Sequence, residues 1–152
     1  MKHEKDLLLL SYLRQNSRIT LKELSKKTGI PVSTIFDRII THSKNKLITK
    51  HSLIFDFQKI GYTARATILL RIEKEDKEEI ATYLTKHTNV NTLYKVNNGY
   101  DFIAECIFKN IQELEQFTEQ LETKFTIKAK ETHYVIHDLK REGFLSDPEL
   151  MP

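Results

Sequence analysis

Gly29 and Pro31 stand on either side of one apolar residue, Ile30, between two segments whose apolar residues recur at helical spacing. Few local patterns constrain a chain more. Glycine supplies the left-handed residue that closes a helix, and proline fits the first turn of the next, where no N–H is needed. On the near side, Thr20-Leu21-Lys22-Glu23 reads as a capping box, the Thr20 hydroxyl accepting from the Glu23 amide while the Glu23 carboxylate reaches back. Leu21 and Leu24 face a core, and Ile30 plugs the gap between the helices. On the far side, Ile35, Phe36, Ile39 and Ile40 are expected to form the buried stripe of a third helix. Leu9, Leu10 and Leu13 mark a first helix ending near Asn16, with Asp6 placed to favour its dipole.

Two short helices joined by a glycine-containing turn describe a helix-turn-helix, and equally a plain three-helix corner, which shares the same caps and packing. Charge separates the two. Residues 1–61 carry 12 Lys and Arg against 5 Asp and Glu, a balance of +7, while residues 62–152 carry 12 against 16, a balance of −4. A basic first third suits a polyanion. The third helix turns Ser33, Thr34, Asp37, Arg38, Thr41 and Lys44 outward, and the start of such a helix is what reaches base edges. The expected DNA contacts are therefore Lys22, Val32, Ser33, Thr34, Asp37, Arg38, Thr41, Lys44 and Lys50. Arg38 has two readings, a phosphate contact or an internal salt bridge to Asp37 or Glu23. The following segment, Leu47 to Gly61, is rich in β-branched and aromatic residues and reads as an extended linker, in which Lys50 and His51 either touch the DNA backbone or are simply solvated.

Beyond it the apolar period changes. Ala64, Ala66, Ile68, Leu70 and Ile72 alternate with Thr63, Arg65, Thr67 and Arg71, a strand with one buried face. Asp76 to Glu79 reads as a cap opening a helix with Ile80, Tyr83, Leu84 and His87 inward. Val90–Val96 and Tyr100–Phe108 are strands around Asn97-Asn98-Gly99, a hairpin signal because Asn and Gly tolerate positive φ. Asn110 with Glu113 caps a helix whose stripe is Ile111, Leu114, Phe117 and Leu121, and a last strand spans about Ile127 to Asp138. The order β-α-β-β-α-β is the split βαβ, ferredoxin-like arrangement. The fold class is thus α+β, with a helix-turn-helix domain of winged-helix type at 1–47, a strand linker at 48–61, a ferredoxin-like domain at 62–138 and a tail at 139–152, mobile or clasping an oligomer. A four-stranded sheet with helices on one face leaves the other bare. Leu69, Leu93 and Ile103, or their register partners, would lie there, so association at least to a dimer is expected.

Other classes fit less well. The longest apolar runs, such as Leu7 to Leu10, are too short for a bilayer, and acidic Glu4 and Asp6 before that run speak against a signal peptide, so a cytoplasmic protein without membrane association is expected. The single cysteine, Cys106, falls in an alternating apolar stretch, which gives it a packing role. The six histidines are scattered without metal-ligand spacing, and no nucleophile-base constellation or phosphate loop is present.

Taken in order, the motifs closely resemble the Lrp/AsnC family, the leucine-responsive or feast/famine transcription regulators. Asp6, Leu9, Leu10, Leu13, Asn16 and Arg18 are similar to the family's opening, LKELSKKTGIPVSTIFDRI to its helix-turn-helix, Phe55, Asp56, Phe57, Ile60 and Gly61 to its linker, and VNNGYDF (Val96 to Phe102) to its sensor signature. The resemblance covers residues 5 to about 138. It implies a regulator of promoter DNA, including that of its own gene. It also implies dimers through the sensor sheets, assembly to octamers, and an amino acid or similar small molecule as effector, with no further cofactor or metal. Effector residues carried over from it are Asn97, Asn98, Gly99, Tyr100 and Asp101, with Thr132 on the last strand. Turn amides suit a carboxylate and Asp101 an ammonium, although a hairpin whose Asp101 merely accepts from turn amides accounts for the same residues. Where the family has Ser opening the recognition helix this chain has Pro31, and where it has Gly after that helix, Asn45 is expected to take the left-handed turn. Two other classes stay in view, a sensor module without DNA binding and a siroheme-decarboxylase-like enzyme. The latter would use His133 and His137, which stand ~13 Å apart on a strand, too far to share one ligand.

Overall fold

The structure is a computed structural model that describes residues 2–54 and 56–150. It divides into two compact units, one holding the described residues up to Ile54 together with those from Leu139 onward, the other those up to Asp138.

The first unit is built on three helices, α1 (Lys2–Gln15), α2 (Leu21–Thr28) and α3 (Val32–Lys44). Leu9, Leu24, Ile30 and Ile35 form its core, with Tyr12, Leu13, Ile19, Leu21 and Ile39 packed around them. Fully burying a Leu or Ile is worth about 1.5–3 kcal/mol, so these four side chains hold three short helices that could not persist alone. Phe36 and Ile40 do not join them. They are 53% and 36% exposed, because a helix in so small a unit buries one stripe, here Ile35 and Ile39, and residues one step further round face outward. The tail residues return to this unit. Arg14 donates to both the carbonyl and the carboxylate of Glu142, each at 3.2 Å, and a 3-10 turn at Pro148–Leu150 lies against α1.

Residues 48–54 and 56–57 form no strand. Their composition suits extended chain, but a strand also needs a neighbour to share its ladder, and they have none among the described residues. The left-handed turn after α3 falls one place later than expected, on Lys46 (φ 58°), while Asn45 keeps φ −80°.

The second unit is a four-stranded antiparallel sheet in the order β2-β3-β1-β4, from β1 (Ala64–Ile72), β2 (Val90–Lys95), β3 (Phe102–Phe108) and β4 (Ile127–Tyr134). Helices α4 (Lys77–Lys86) and α5 (Ile111–Lys124) cover one face. Their Ile80, Leu84, Leu114, Phe117 and Leu121 share a core with the inward residues of β1 and with Phe102, Ala104, Cys106 and Phe108 of β3. Burial pushes the Cys106 thiol up to about 12, so it packs as an inert apolar group. Asn110 caps α5 as expected, its side chain accepting from the Glu113 amide at 2.9 Å, but Ile111 is 59% exposed and leaves the expected stripe. Asp76 sits at the α4 N-cap without capping it, and its carboxylate accepts instead from the Thr126 amide at 2.6 Å. On the bare face lie Leu69, Ile103 and Tyr94. Leu93 turns to the helix side, since the register sets Tyr94 opposite Ile103. His137 falls beyond the end of β4, so it does not share a strand with His133.

His87 closes α4 with its ring 4.6 Å from that of Phe117. Burial, with Lys124 nearby adding to it, holds the imidazole below its ordinary value. A histidine that is harder to protonate when folded favours folding above its unfolded value, about 6.5, and this contribution falls away as pH drops below it. Replacing His87 with Leu is therefore expected to flatten the fall in urea midpoint between pH 7.5 and pH 5.5, and an unchanged slope would refute the assignment.

Candidate functional site

The corner between α2 and α3 forms as its residues dictate. The Thr20 hydroxyl accepts from the Glu23 amide at 3.2 Å, and the Glu23 carboxylate accepts from the Thr20 amide at 3.1 Å. That amide first, and then the Thr20 hydroxyl, lowers the Glu23 carboxyl below its usual range. Gly29 takes φ 67° and donates to the Ser25 carbonyl. Thr28, not singled out from sequence, is buried and ties the turn from inside: its hydroxyl donates to the Leu24 carbonyl at 2.7 Å and accepts from the Ile30 amide at 3.3 Å. Pro31 is the N-cap of α3, one place before the first turn, and supplies no side-chain cap. Its carbonyl accepts from the Ile35 amide.

From this corner α3 exposes Val32, Ser33, Phe36, Asp37, Ile40, Thr41 and Lys44, while Thr34 is half-buried. Lys22 on α2 and Lys50 beyond α3 are exposed as well. Arg38 forms an internal ion pair, though with neither expected partner. Its guanidinium lies 2.6 Å from the Asp6 carboxylate on α1, both side chains 21% exposed. Asp6, expected to favour the α1 dipole, is instead the brace between α1 and α3, with the His42 ring 3.9 Å away.

In the second unit, Asn98 (φ 64°) and Gly99 (φ 101°) both take left-handed conformations and the Val96 amide closes the turn on the Asp101 carbonyl. The Asp101 carboxylate is already engaged, accepting from the Ile72 amide at 2.8 Å and from the Lys77 ammonium at 2.6 Å. The Ile72 amide first, and then Lys77, hold it below the ordinary carboxylate range. Asp101 thus fastens the hairpin to the end of β1 and the start of α4. The Tyr100 hydroxyl donates to Glu131 on β4, and this bond raises the phenol and lowers the carboxylate. Turn residues Asn97 to Asp101 are brought together. Thr132 is not among them, since it pairs with Ile68 on the helix-covered side, and Glu131 opposite Leu69 points to the bare side. Lys77 and Glu131 escaped sequence reading, the one inside an apparent cap and the other on a strand whose register was unknown. At the opposite end of the sheet, Phe57, Ile60, Tyr62, Val90, Asn91 and Ile107 help to line an open cavity of about 380 Å³ that contains none of the expected effector residues. Among the described residues no cluster of His, Cys, Asp and Glu is arranged to hold a metal, and no helix is long and apolar enough to cross a membrane.

The Asp6–Arg38 pair has a direct check. Urea denaturation of Asp6→Ala, Arg38→Ala and the double variant should give a coupling of about 1–2 kcal/mol. A coupling of zero would return Arg38 to the DNA contacts.

Residues 65–144 match the Lrp/AsnC ligand binding domain and residues 2–39 a winged helix-turn-helix DNA-binding domain. The chain is similar to the HTH-type transcriptional regulator FL11 of Pyrococcus horikoshii, 30% identical over 116 residues that cover 76% of this chain and 77% of the relative. An uncharacterized HTH-type transcriptional regulator of Pyrococcus abyssi is 27% identical over 148 residues, 97% of this chain and all of that one. In fold, the chain is similar to a transcriptional regulator of Neisseria meningitidis solved in complex with L-methionine, with a TM-score of 0.82 at 17% identity over 90% of this chain and 91% of the other. Since the ligand-binding domain matches more than half of this chain and a helix-turn-helix precedes it, the chain belongs to the Lrp/AsnC family of transcriptional regulators.

Proposed function

We propose that the chain regulates transcription from double-stranded promoter DNA, its own promoter included, and that an amino acid or similar small molecule modulates its assembly or DNA affinity. It acts without catalysis, in the cytoplasm. The observation that carries this reading is the corner at Gly29, where a capped helix, a left-handed turn and a buried Ile30 present the start of α3 to solvent. Ser33, Asp37 and Thr41 on α3 face the bases, and Lys22, Lys44 and Lys50 hold phosphates. Val32 belongs with the base contacts. Thr34 and Arg38 play a smaller part, the one half-buried and the other held by Asp6.

The effector sits at the hairpin Asn97 to Tyr100, whose turn amides suit a carboxylate. Asp101 positions that turn while Lys77 occupies its carboxylate. The L-methionine held by the Neisseria regulator supports an amino acid as the class. Protomers pair through the bare sheet face, where Leu69, Ile103 and Tyr94 lie, the last 61% exposed, and dimers build to octamers. Beside those apolar groups Arg65 is held by Glu105 and by both carboxylate oxygens of Asp138, so its charge is matched before a partner arrives.

Two measurements test this. In an electrophoretic shift with the gene's own upstream region, specific binding is expected at low salt and a changed affinity with one or more of the twenty amino acids. Ser33→Ala should weaken binding without altering the oligomer. Absence of any shift would remove the DNA reading. In sedimentation, Ile103→Asp is expected to give folded monomers, and a variant that still dimerises would place the interface elsewhere.

A further inference from the structure

Val32, Phe36 and Ile40 lie four residues apart on α3 and are 43%, 53% and 36% exposed. They form an apolar row beside the polar row Ser33, Asp37 and Thr41, also exposed. A stripe of this kind, left in water across a charged surface, marks a contact with something else.

The same face lacks what helix-turn-helix proteins most often use to read guanine. From Val32 to Thr41 the sole Lys or Arg is Arg38, and its guanidinium is held 2.6 Å from Asp6. Lys44 comes at the last residue of the helix. Bidentate reading of guanine O6 and N7 requires an Arg or Lys side chain, and the two turns nearest the groove have none to offer. They carry an aryl ring, branched alkyl groups, hydroxyls and one carboxylate. In the major groove an apolar side chain has one specific partner, the thymine 5-methyl group.

We propose that Val32 and Phe36 read thymine methyls, so that this helix selects A·T pairs by apolar contact. The proposal rests on the DNA-binding reading above and names the bases it selects. One turn separates the two side chains, about 6 Å along the axis, against a step of about 3.4 Å between successive bases of a strand, so they meet thymines two steps apart. Asp37, beside Phe36, accepts from cytosine N4 and is repelled by phosphates, which keeps this part of the helix in the middle of the groove. Neutralising the backbone then falls to the exposed lysines around the face, Lys22, Lys44 and Lys50. The surplus of +7 over residues 1–61 suits that division. Another apolar occupant, a second copy of this chain, would leave that positive surplus facing its like.

The test selects sites from a random DNA pool with the full chain, then replaces each thymine of the selected site by deoxyuridine, which removes the methyl alone. Wild-type affinity is expected to fall about fourfold at one or two positions, the worth of one buried methyl group. Phe36→Ala and Val32→Ala should each lose the effect at one of those positions and keep it at the other, with thermal stability little changed because both residues are about half exposed. A wild type that selects a site yet ignores every methyl overturns the proposal. So does a methyl effect that survives at the same position in both variants, or a Phe36→Ala chain that loses its oligomer and weakens on all sequences alike, which would make the stripe a protein contact. If no site is selected at all, the DNA-binding reading falls first and takes this one with it.

Discussion

Strand β1 is the member on which the sensor unit rests. It lies inside the sheet, paired to β3 on one side and β4 on the other, and its buried residues Ala64, Ala66, Ile68, Leu70 and Ile72 are the floor on which both helices pack. A slip of one residue would turn every one of those side chains to the bare face and bring Arg65 and Arg71 inside. The hairpin depends on the same strand. Asp101 reaches the amide of Ile72 and its own amide reaches the carbonyl of Leu70. The turn that displays Asn97 to Tyr100 is therefore only as well placed as the end of β1.

The DNA-reading unit has no such platform. Its four buried aliphatic side chains are few, and two polar devices set the angles between helices. Thr28 clamps the inside of the turn, and the Asp6–Arg38 pair braces the outer two helices. A partly buried ion pair adds specificity of geometry more than net stability. In this chain it also engages the one arginine of α3, as the proposed reading of thymine methyls requires.

What the sequence made legible follows from how local each interaction is. The Thr20–Glu23 box, the Gly29 turn and the Asn98-Gly99 hairpin are decided within three or four residues, and all three are present. The alternation of β1 survived because one face of a sheet strand is buried along its whole length. The misreadings were of relations between distant residues. Phe36 and Ile40 look like core until the width of the neighbouring helices is known. Arg38 finds its partner 32 positions away. Asp76 has a cap's position but spends its carboxylate on Thr126, and the linker has a strand's composition without a strand's neighbour. At the Asn97–Asp101 hairpin the turn was readable, while the fact that Lys77 already satisfies Asp101 was not, since nothing in the spacing links a helix start to a hairpin 24 residues on.

The return of the tail to the first unit also bears on how the chain is made. The bond from Arg14 to Glu142 joins residues 128 positions apart, and the whole sensor sequence is synthesised between them. Domains generally fold as they emerge, the N-terminal one first, and here the three helices leave the ribosome before Glu142, the partner of Arg14, has been made. The contacts that tie the tail to α1 can form only after the sensor unit has been translated, so a chain cut short inside the sensor lacks them as well.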